Sequence, residues 1–275
     1  MQLIKRIFDF YIFSNIHVAL ATFCLAKITL LTFEYQENEV AFFIFFATIV
    51  AYNFIRSYNK FLIKSWYSDS MEANKNTIIF IALLSFVIMT FIAFNLRINA
   101  LIGLIPFGLF TLFYVIKLKG ITKTATSLRM VSGIKIFLIA FCWAGITVLF
   151  PLINYNEIFS MDVWVVFLQR FLFVLVITIP FDIRDLGHDE ETLKTIPQVL
   201  GLQNAKRLGL FLLMLFLGLT FLRTSITYEQ IRIELIVTVI SLLFLVKSKN
   251  TQSKYYSAFF VEGIPVIWLI LVLLE

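Results

Sequence analysis

The chain has 275 residues, of which 60% are hydrophobic, and its mean hydropathy is +0.93. An ordinary globular domain is about 45–50% apolar and about a quarter charged, so this composition excludes a soluble domain and indicates a polytopic membrane protein. The net charge of +6 suits loops that face an anionic membrane leaflet, and it gives no reason to expect nucleic acid as a partner.

Long apolar runs predict an all-α fold, a bundle of about nine transmembrane helices in one domain that spans residues 1–275. A bilayer core of about 30 Å requires roughly 20 apolar residues per helix. In chain order the runs cover residues 10–33, 39–57, 77–96, 98–116, 132–153, 163–181, 208–223, 231–247 and 256–274. Counts of eight or ten helices stay open, because the runs 208–223 and 231–247 are the shortest.

The positive charges predict which ends of the helices face the cytoplasm. With nine helices, most of the 23 Lys and Arg residues fall in one alternating set of loops, whereas the opposite set holds only Arg97, Arg223 and Arg232. Cytoplasmic loops are typically rich in Lys and Arg. We therefore expect a cytoplasmic N-terminus and an external C-terminus. Short loops and no recognisable targeting extension favour a bacterial inner membrane.

One segment after the sixth run is unusually polar for this chain. Residues 180–201, PFDIRDLGHDEETLKTIPQVLG, contain Asp182, Asp185 and Asp189 at spacing i, i+3, i+7. If the helix continues through them, the three carboxylates share one face and repel one another, so a cation should offset them. Carboxylates suit Mg²⁺, which proteins bind through one or two acids plus substrate phosphates. The alternative is a solvated loop in which Arg184 and Lys194 pair with the acids.

The same segment resembles a motif of a known family. IRDLGHD followed by KTIPQVLG is similar to the second aspartate motif of the UbiA superfamily of intramembrane prenyltransferases, and most of all to its menaquinone-pathway branch. That motif is a DxxxD pair followed by K/R-T-L-P-x-x-x-G. Asp185 and Asp189 occupy the two acidic positions, and Arg184 precedes them. The distance from Asp189 to Thr195 is about one residue short, and Leu193 replaces a glycine.

The resemblance implies a membrane prenyltransferase. Members of the family bind an isoprenyl diphosphate through Mg²⁺ held by two acidic motifs, and they alkylate a hydrophobic, commonly aromatic, acceptor. Asp185 and Asp189 are then the candidate catalytic residues and metal ligands, with Asp182 as a third acid. Candidate contacts to the substrate are Asn53, Arg56, Ser57, Lys60, Lys117, Lys119, Arg184 and Lys194.

The first acidic motif of the family has no acids in this chain. Asn53 matches its leading residue, but Phe54, Ser57 and Phe61 stand where the family has aspartates. Either the remaining metal site and the cations Arg56, Lys60 and Lys64 hold the diphosphate, or the protein keeps the fold without the usual chemistry and binds or transports a lipid or an anion. A helix would align Asn53, Ser57, Lys60 and Lys64 in a polar stripe that either binds an anion or anchors the helix end at the interface.

Lys135, Arg170 and Glu262 are among the charged residues that lie inside apolar runs, where charges are costly. Lys135 either reaches the headgroups or contributes to the diphosphate site beside Tyr114. Arg170 should pair with Glu262 or Asp162. Glu262 should face protein rather than lipid, and the sequence indicates no specific role for it.

Overall fold

The computed structural model describes residues 2–59, 74–116, 127–128, 131–157, 160–224 and 226–275. These residues form helices and contain no strand. The helices are α1 (Gln2–Phe13), α2 (Ile16–Thr32), α3 (Glu39–Asn59), α4 (Lys75–Ala93), α5 (Ile98–Val115), α6 (Lys135–Tyr155), α7 (Met161–Asp185), α8 (Ile196–Thr220), α9 (Tyr228–Lys247) and α10 (Tyr256–Leu273).

Each predicted apolar run overlaps a described helix, but the run 10–33 is divided between α1 and α2, and α8 begins 12 residues before the run 208–223. By length and composition, seven of the described helices can cross a membrane, and the bent pair α1–α2 makes an eighth if it forms one span. The remaining helix, α9, carries Glu229, Arg232 and Glu234 near its start. The chain is therefore an all-helical integral membrane protein. The count of nine spans and the sides on which the termini lie stay predictions.

The first predicted helix is broken, not continuous. Asn15 adopts a left-handed conformation (φ 68°), and α1 is bent by 55° from α2. Asn tolerates this conformation better than most residues. Backbone carbonyls at the break accept hydrogen bonds from α3: Asn53 Nδ2 donates to Ser14 O at 3.3 Å and Arg56 donates to Phe13 O at 2.9 Å. Asn15 Nδ2 also donates to Asn53 Oδ1 at 2.7 Å, so α3 fixes the bend.

Helix α7 is the centre of the bundle, and α4 lies at its edge. In α7, 72% of the membrane-length window is buried inside the protein, compared with 11% in α4. α7 packs against α6, α8 and α9, and the rings of Phe173, Phe216 and Trp268 meet in edge-to-face and tilted contacts at its side. Because α7 is held from several sides, its C-terminal residues have a fixed position in the molecule.

Two helices contain a π-helical turn, a feature often found at functional sites. In α6 the turn is Gly145–Leu149, and a Cβ atom at Gly145 would lie 2.0 Å from Phe107 Cε1, so only glycine lets α5 approach this closely. In α10 the turn is Tyr256–Val261. There Phe259 O accepts a hydrogen bond from His17 Nε2 at 2.9 Å, which ties α10 to α2.

A buried polar network joins α7, α8 and α9 near the start of α7. Gln169 Nε2 donates to Thr220 Oγ1 and to Glu234 Oε2, both at 3.0 Å, and Arg223 forms an ion pair with Glu234 at 3.3 Å. Thr220 Oγ1 also donates to Glu234 Oε2. We name this group the α7–α9 network: Gln169, Thr220, Arg223 and Glu234.

The predicted partners of Arg170 are wrong. Its guanidinium donates to Leu25 O at 2.7 Å and to Thr29 Oγ1 at 3.2 Å, and it lies over the Trp268 ring at 5.2 Å. Asp162 instead accepts hydrogen bonds from Thr224. A backbone carbonyl and a ring face satisfy the buried cation, and such partners leave no pattern in the sequence.

Candidate active site

A cavity of about 700 Å³ lies among helices α1–α7 and α10. This volume is within the range of about 300–1,000 Å³ that is usual for small-molecule sites. Most of its wall is apolar and aromatic, including Phe43, Phe107, Phe110, Leu138, Trp143 and Ile177. The cavity can therefore hold a hydrophobic ligand of small-molecule size.

Charged residues gather at one end of this cavity, at the C-terminal ends of α3 and α7 and the start of α6. We name this end the polar mouth; its wall contains Arg56, Lys135, Asp182, Arg184, Asp185 and Glu262. The mouth offers both cations and carboxylates, whereas the rest of the wall is mostly apolar. This division suits a ligand with an ionic head and a hydrophobic body.

Lys135 is the cation that the spacing of the three acids predicts. Its Nζ lies 3.0 Å from Asp182 Oδ1 and 3.1 Å from Asp189 Oδ2, and the side chains of the two acids are only 2% and 9% exposed. Gly133 N donates to Leu193 O at 2.9 Å, which attaches the start of α6 to the loop after α7. A buried ion pair of this kind is costly to break, because removing one partner leaves an uncompensated charge.

Asp185 has a different partner from the other two acids. Arg184 forms a two-point contact with it, Nε to Oδ1 at 2.8 Å and NH2 to Oδ2 at 2.9 Å. The three acids do not share one helix face, because α7 ends at Asp185, and the backbone N–H groups of His188 and Asp189 close its end on Asp185 O. Asp189 therefore reaches Lys135 from the loop.

The KTIPQVLG segment builds the start of α8 and holds the acidic loop. Thr195 is the N-cap residue, and its backbone N–H donates to Gln198 Oε1 at 2.8 Å. Gln198 Nε2 in turn donates to the carbonyls of Asp189 and Glu190 at 3.3 Å. Gly201 has φ +75°, a value that favours glycine, and kinks the helix there. The segment thus positions Asp189 through its backbone.

Asp182 brings to the mouth a buried carboxylate oxygen that has no hydrogen-bond partner among the described residues. Asp182 Oδ2 is buried without a hydrogen bond, although Asp182 Oδ1 is paired with Lys135. Buried polar groups are nearly always satisfied, so an orphan that lies in a cavity wall points to a ligand. No group of three or more His, Cys, Asp or Glu residues that could hold a metal ion occurs in the part of the chain that the structure describes.

Six of the residues that the sequence analysis connected with the site lie in the cavity wall: Arg56, Tyr114, Lys135, Asp182, Arg184 and Asp185. Asp189 lies behind them, joined to the wall through Lys135. Lys60, Lys64, Lys117 and Lys119 lie outside the described residues.

Three other predicted contacts, all within the described ranges, are not in the wall. Asn53 is buried and bonded to Asn15 and to the Ser14 carbonyl, so its amide serves the α1–α2 break. Ser57 is exposed outside the cavity, and so is Lys194, which has a left-handed backbone (φ 45°). The structure does not bring these three side chains to the other candidates.

Sequence reasoning assigned no role to two groups in the wall, Glu262 and Tyr52. Tyr52 OH accepts a hydrogen bond from Trp143 Nε1 at 3.1 Å. Glu262 follows the π-helical turn of α10. An acid inside an apolar run of a membrane protein often marks a functional site, so the sequence itself indicates Glu262 as a candidate. Nothing in the sequence distinguishes Tyr52 from a lipid-facing aromatic residue.

Comparison with known proteins supports this fold by structure alone. No protein-family profile matches the chain, and no curated protein matches it by sequence. A solved structure of digeranylgeranylglyceryl phosphate synthase in membranes is similar, with a TM-score of 0.57, 16% identity, and coverage of 98% of this chain and 96% of that chain. The chain therefore shares the helical-bundle fold of this synthase over nearly the full extent of both chains.

Proposed function

We propose that the protein is an integral membrane prenyltransferase of the UbiA type. It transfers an isoprenyl group from an isoprenyl diphosphate to a hydrophobic acceptor, aromatic or lipid-like, within the bilayer. The observation that carries the proposal is the combination of a mainly apolar cavity of about 700 Å³ with a polar mouth of mixed charge at one end. The shared fold with a membrane synthase supports it.

In this proposal the diphosphate binds at the polar mouth on the cytoplasmic face of a bacterial inner membrane. Arg56, Lys135 and Arg184 supply positive charge there. Asp182 Oδ2, which has no partner, and Asp185, which faces the cavity, fit a Mg²⁺ ion that completes its shell with phosphate oxygens and water. Asp189 acts through Lys135. Lys60, Lys117 and Lys119 stay candidates for further contacts.

The chemistry divides between the two parts of the cavity. Bound Mg²⁺ would stabilise the charge that develops on the departing diphosphate. Arg56 and Arg184 add to this stabilisation at the same end, in a site of low dielectric where such interactions are strong. The apolar wall around Phe107 and Trp143 excludes water, which would otherwise capture the allylic cation. Aromatic faces there also favour positive charge.

A second candidate function is binding or transport of an anionic lipid without catalysis. The observation that favours it is the internal neutralisation of the acids, since Lys135 pairs with Asp182 and Asp189 and Arg184 pairs with Asp185. The stretch Asn53–Ser57 also has no carboxylate to hold a second metal ion.

A transfer assay separates the two functions. The purified protein in lipid nanodiscs receives labelled isoprenyl diphosphates of several lengths, Mg²⁺ and a panel of aromatic and lipid-like acceptors. We expect labelled product from the wild type and a decrease of about 10²–10³-fold in Asp185→Asn, the size typical of removing one group that stabilises transition-state charge. Glu191→Gln, an exposed acid in the same loop, is the matched control. Tight donor binding without product in the wild type would favour the binding protein.

A further inference from the structure

Glu262 lies in the cavity wall without a direct partner. Its carboxylate has no hydrogen bond and no ion pair within the described ranges, whereas the other two acids of the wall, Asp182 and Asp185, are paired with Lys135 and Arg184. A carboxylate inside a membrane bundle is costly unless something satisfies it. The position therefore points to a ligand group that the carboxylate meets inside the cavity.

The backbone that carries Glu262 is held rigidly. The π-helical turn ends there, with Glu262 N donating to Ser257 O at 3.1 Å and Gly263 N donating to Phe259 O at 2.9 Å. His17 Nε2 bonds the same Phe259 carbonyl, and a Cβ atom at Gly263 would lie 2.7 Å from it. Rigid support of this kind is what a residue needs to hold a reacting group in place.

The groups around Glu262 come from two other helices. Arg56 of α3 and Arg184 of α7 interact with its charge through space, and so does Tyr52 of α3. Tyr52 OH accepts a hydrogen bond from Trp143 Nε1. Within the described residues the Tyr52 hydroxyl donates no hydrogen bond, so it can donate one to a ligand in the cavity. The wall thus presents one hydrogen-bond donor and one acceptor close to the proposed diphosphate site.

We propose that Glu262 and Tyr52 form the acceptor subsite, that the acceptor attacks through a hydroxyl group, and that Glu262 takes up the proton of that hydroxyl. The inference rests on the proposed function and deepens it. A hydroxyl donates one hydrogen bond and accepts others, which matches a carboxylate beside a phenol. Glycerol-like alcohols and phenols with an apolar body belong to this substrate class.

The proposed step balances as follows. The bond between C1 of the isoprenyl group and the diphosphate oxygen breaks, and the electron pair leaves with the diphosphate, next to Arg56 and Arg184. The acceptor oxygen forms a new bond to C1. Its proton moves to the Glu262 carboxylate and leaves later through the polar mouth. No oxidant or reductant takes part.

Product partition tests this role. The wild type is compared with Glu262→Gln, Glu262→Asp and Tyr52→Phe. The control is Glu229→Gln, which changes an exposed glutamate of α9. Each protein is assayed with an acceptor that has a free hydroxyl group and with the methyl ether of that acceptor. In Glu262→Gln we expect kcat for transfer to fall about 10²–10⁴-fold, the usual contribution of a general base, with KM for the isoprenyl diphosphate unchanged. Turnovers that remain should release isoprenyl alcohol, because water captures the cation. Glu262→Asp should recover part of the rate.

The outcomes are distinct. The acceptor subsite is overturned if Glu262→Gln transfers the isoprenyl group at the wild-type rate. It is also overturned if the methyl ether is alkylated at a carbon atom as fast as the acceptor with the free hydroxyl group. Both results leave the proposed function intact. A rise in KM for the diphosphate at unchanged kcat also overturns the acceptor subsite, because Glu262 would then position the arginines. Absence of transfer by the wild type with every acceptor overturns the proposed function itself. Thermal unfolding of each variant in detergent shows whether the variant is folded.

Discussion

The polar mouth and the α7–α9 network both contain buried polar groups of α7, but these groups bond closely to one another in the network and line a large cavity in the mouth. Gln169 of the network and Asp182 of the mouth are 13 residues apart on α7, about 20 Å along its axis. In the network, Gln169 and Glu234 bond directly to each other and to Thr220, and only a void of about 10 Å³ lies beside Arg223, whose Nε has no partner. The mouth opens on a cavity of about 700 Å³.

The difference teaches how to separate structural from functional polar residues in a bilayer. Both oxygens of the Glu234 carboxylate are bonded, by Gln169 of α7 and Thr220 of α8 and by Arg223, which follows α8, so its interactions hold α7, α8 and α9 together. Among the described residues, Asp182 has one carboxylate oxygen without a hydrogen-bond partner, and Glu262 has no hydrogen bond or ion pair; both acids lie in the cavity wall. An unsatisfied acid in the wall of a large cavity indicates a ligand, whereas an acid whose two oxygens are bonded by closely packed neighbours indicates helix packing.

The largest expected effect is the loss of transfer activity when the metal ion is removed from the polar mouth. Chelation of divalent cations with EDTA should abolish transfer of the isoprenyl group, and added Mg²⁺ should restore it, because the carboxylates of Asp182 and Asp185 cannot bind the diphosphate directly. Product formation is followed with labelled donor at fixed ionic strength. Full activity in EDTA would contradict the metal site and leave Arg56, Lys135 and Arg184 as the whole anion site.

Glu234→Ala should affect stability and leave the chemistry unchanged. Removing the acid leaves Arg223 buried and uncompensated, so we expect a loss of roughly 3–5 kcal/mol in the free energy of unfolding. Thermal or denaturant unfolding in detergent measures the loss. The transfer rate per folded molecule should equal that of the wild type. A lower rate in fully folded protein would remove the distinction between the two regions.

Lys135→Met should change both properties, because this residue belongs to the mouth and to the packing. It leaves Asp182 and Asp189 without their shared cation, which should cost about 3 kcal/mol in stability. Diphosphate binding should weaken as well. Asp189→Asn added to Lys135→Met should recover part of the stability, since one buried charge disappears. If the double variant is less stable than the single variant, the bridge does not compensate these acids.

Asn53→Ala should have the smallest effect of these variants. It removes the side chain that bonds Asn15 and the Ser14 carbonyl, and leaving such buried groups unsatisfied costs about 1–3 kcal/mol. We expect diphosphate affinity to remain as in the wild type, because Asn53 is not in the cavity wall. A selective loss of donor affinity without a change in stability would support the sequence-based assignment of Asn53 to the substrate.

The positions of the helices could be predicted from sequence because the bilayer demands long apolar runs, and no distant partner is needed to make them helical. The α1–α2 break could not be predicted in this way. Asn15 is left-handed because Asn53 and Arg56, some forty positions later, bind the carbonyls around it. A local pattern contains no record of that contact.

The candidate site could likewise be predicted only in part from the sequence. Spacing alone indicated that Asp182, Asp185 and Asp189 require a cation, but only the folded chain identifies Lys135, some fifty residues earlier, as that cation. Asn53 was assigned to the substrate because it matches a motif position, yet its amide is used within the fold. The role of a polar residue depended on which groups the packing left unsatisfied.

The most direct measurement is a structure of the protein in nanodiscs with Mg²⁺ and a non-hydrolysable isoprenyl thiolodiphosphate. The proposed function predicts the diphosphate at the polar mouth, with Asp182 and Asp185 on the metal ion and Arg56 and Arg184 on the phosphate oxygens. It predicts the isoprenyl chain along Phe107 and Trp143, with C1 near Glu262. An analogue bound outside the cavity, or one with its diphosphate away from Asp182 and Asp185, would contradict it.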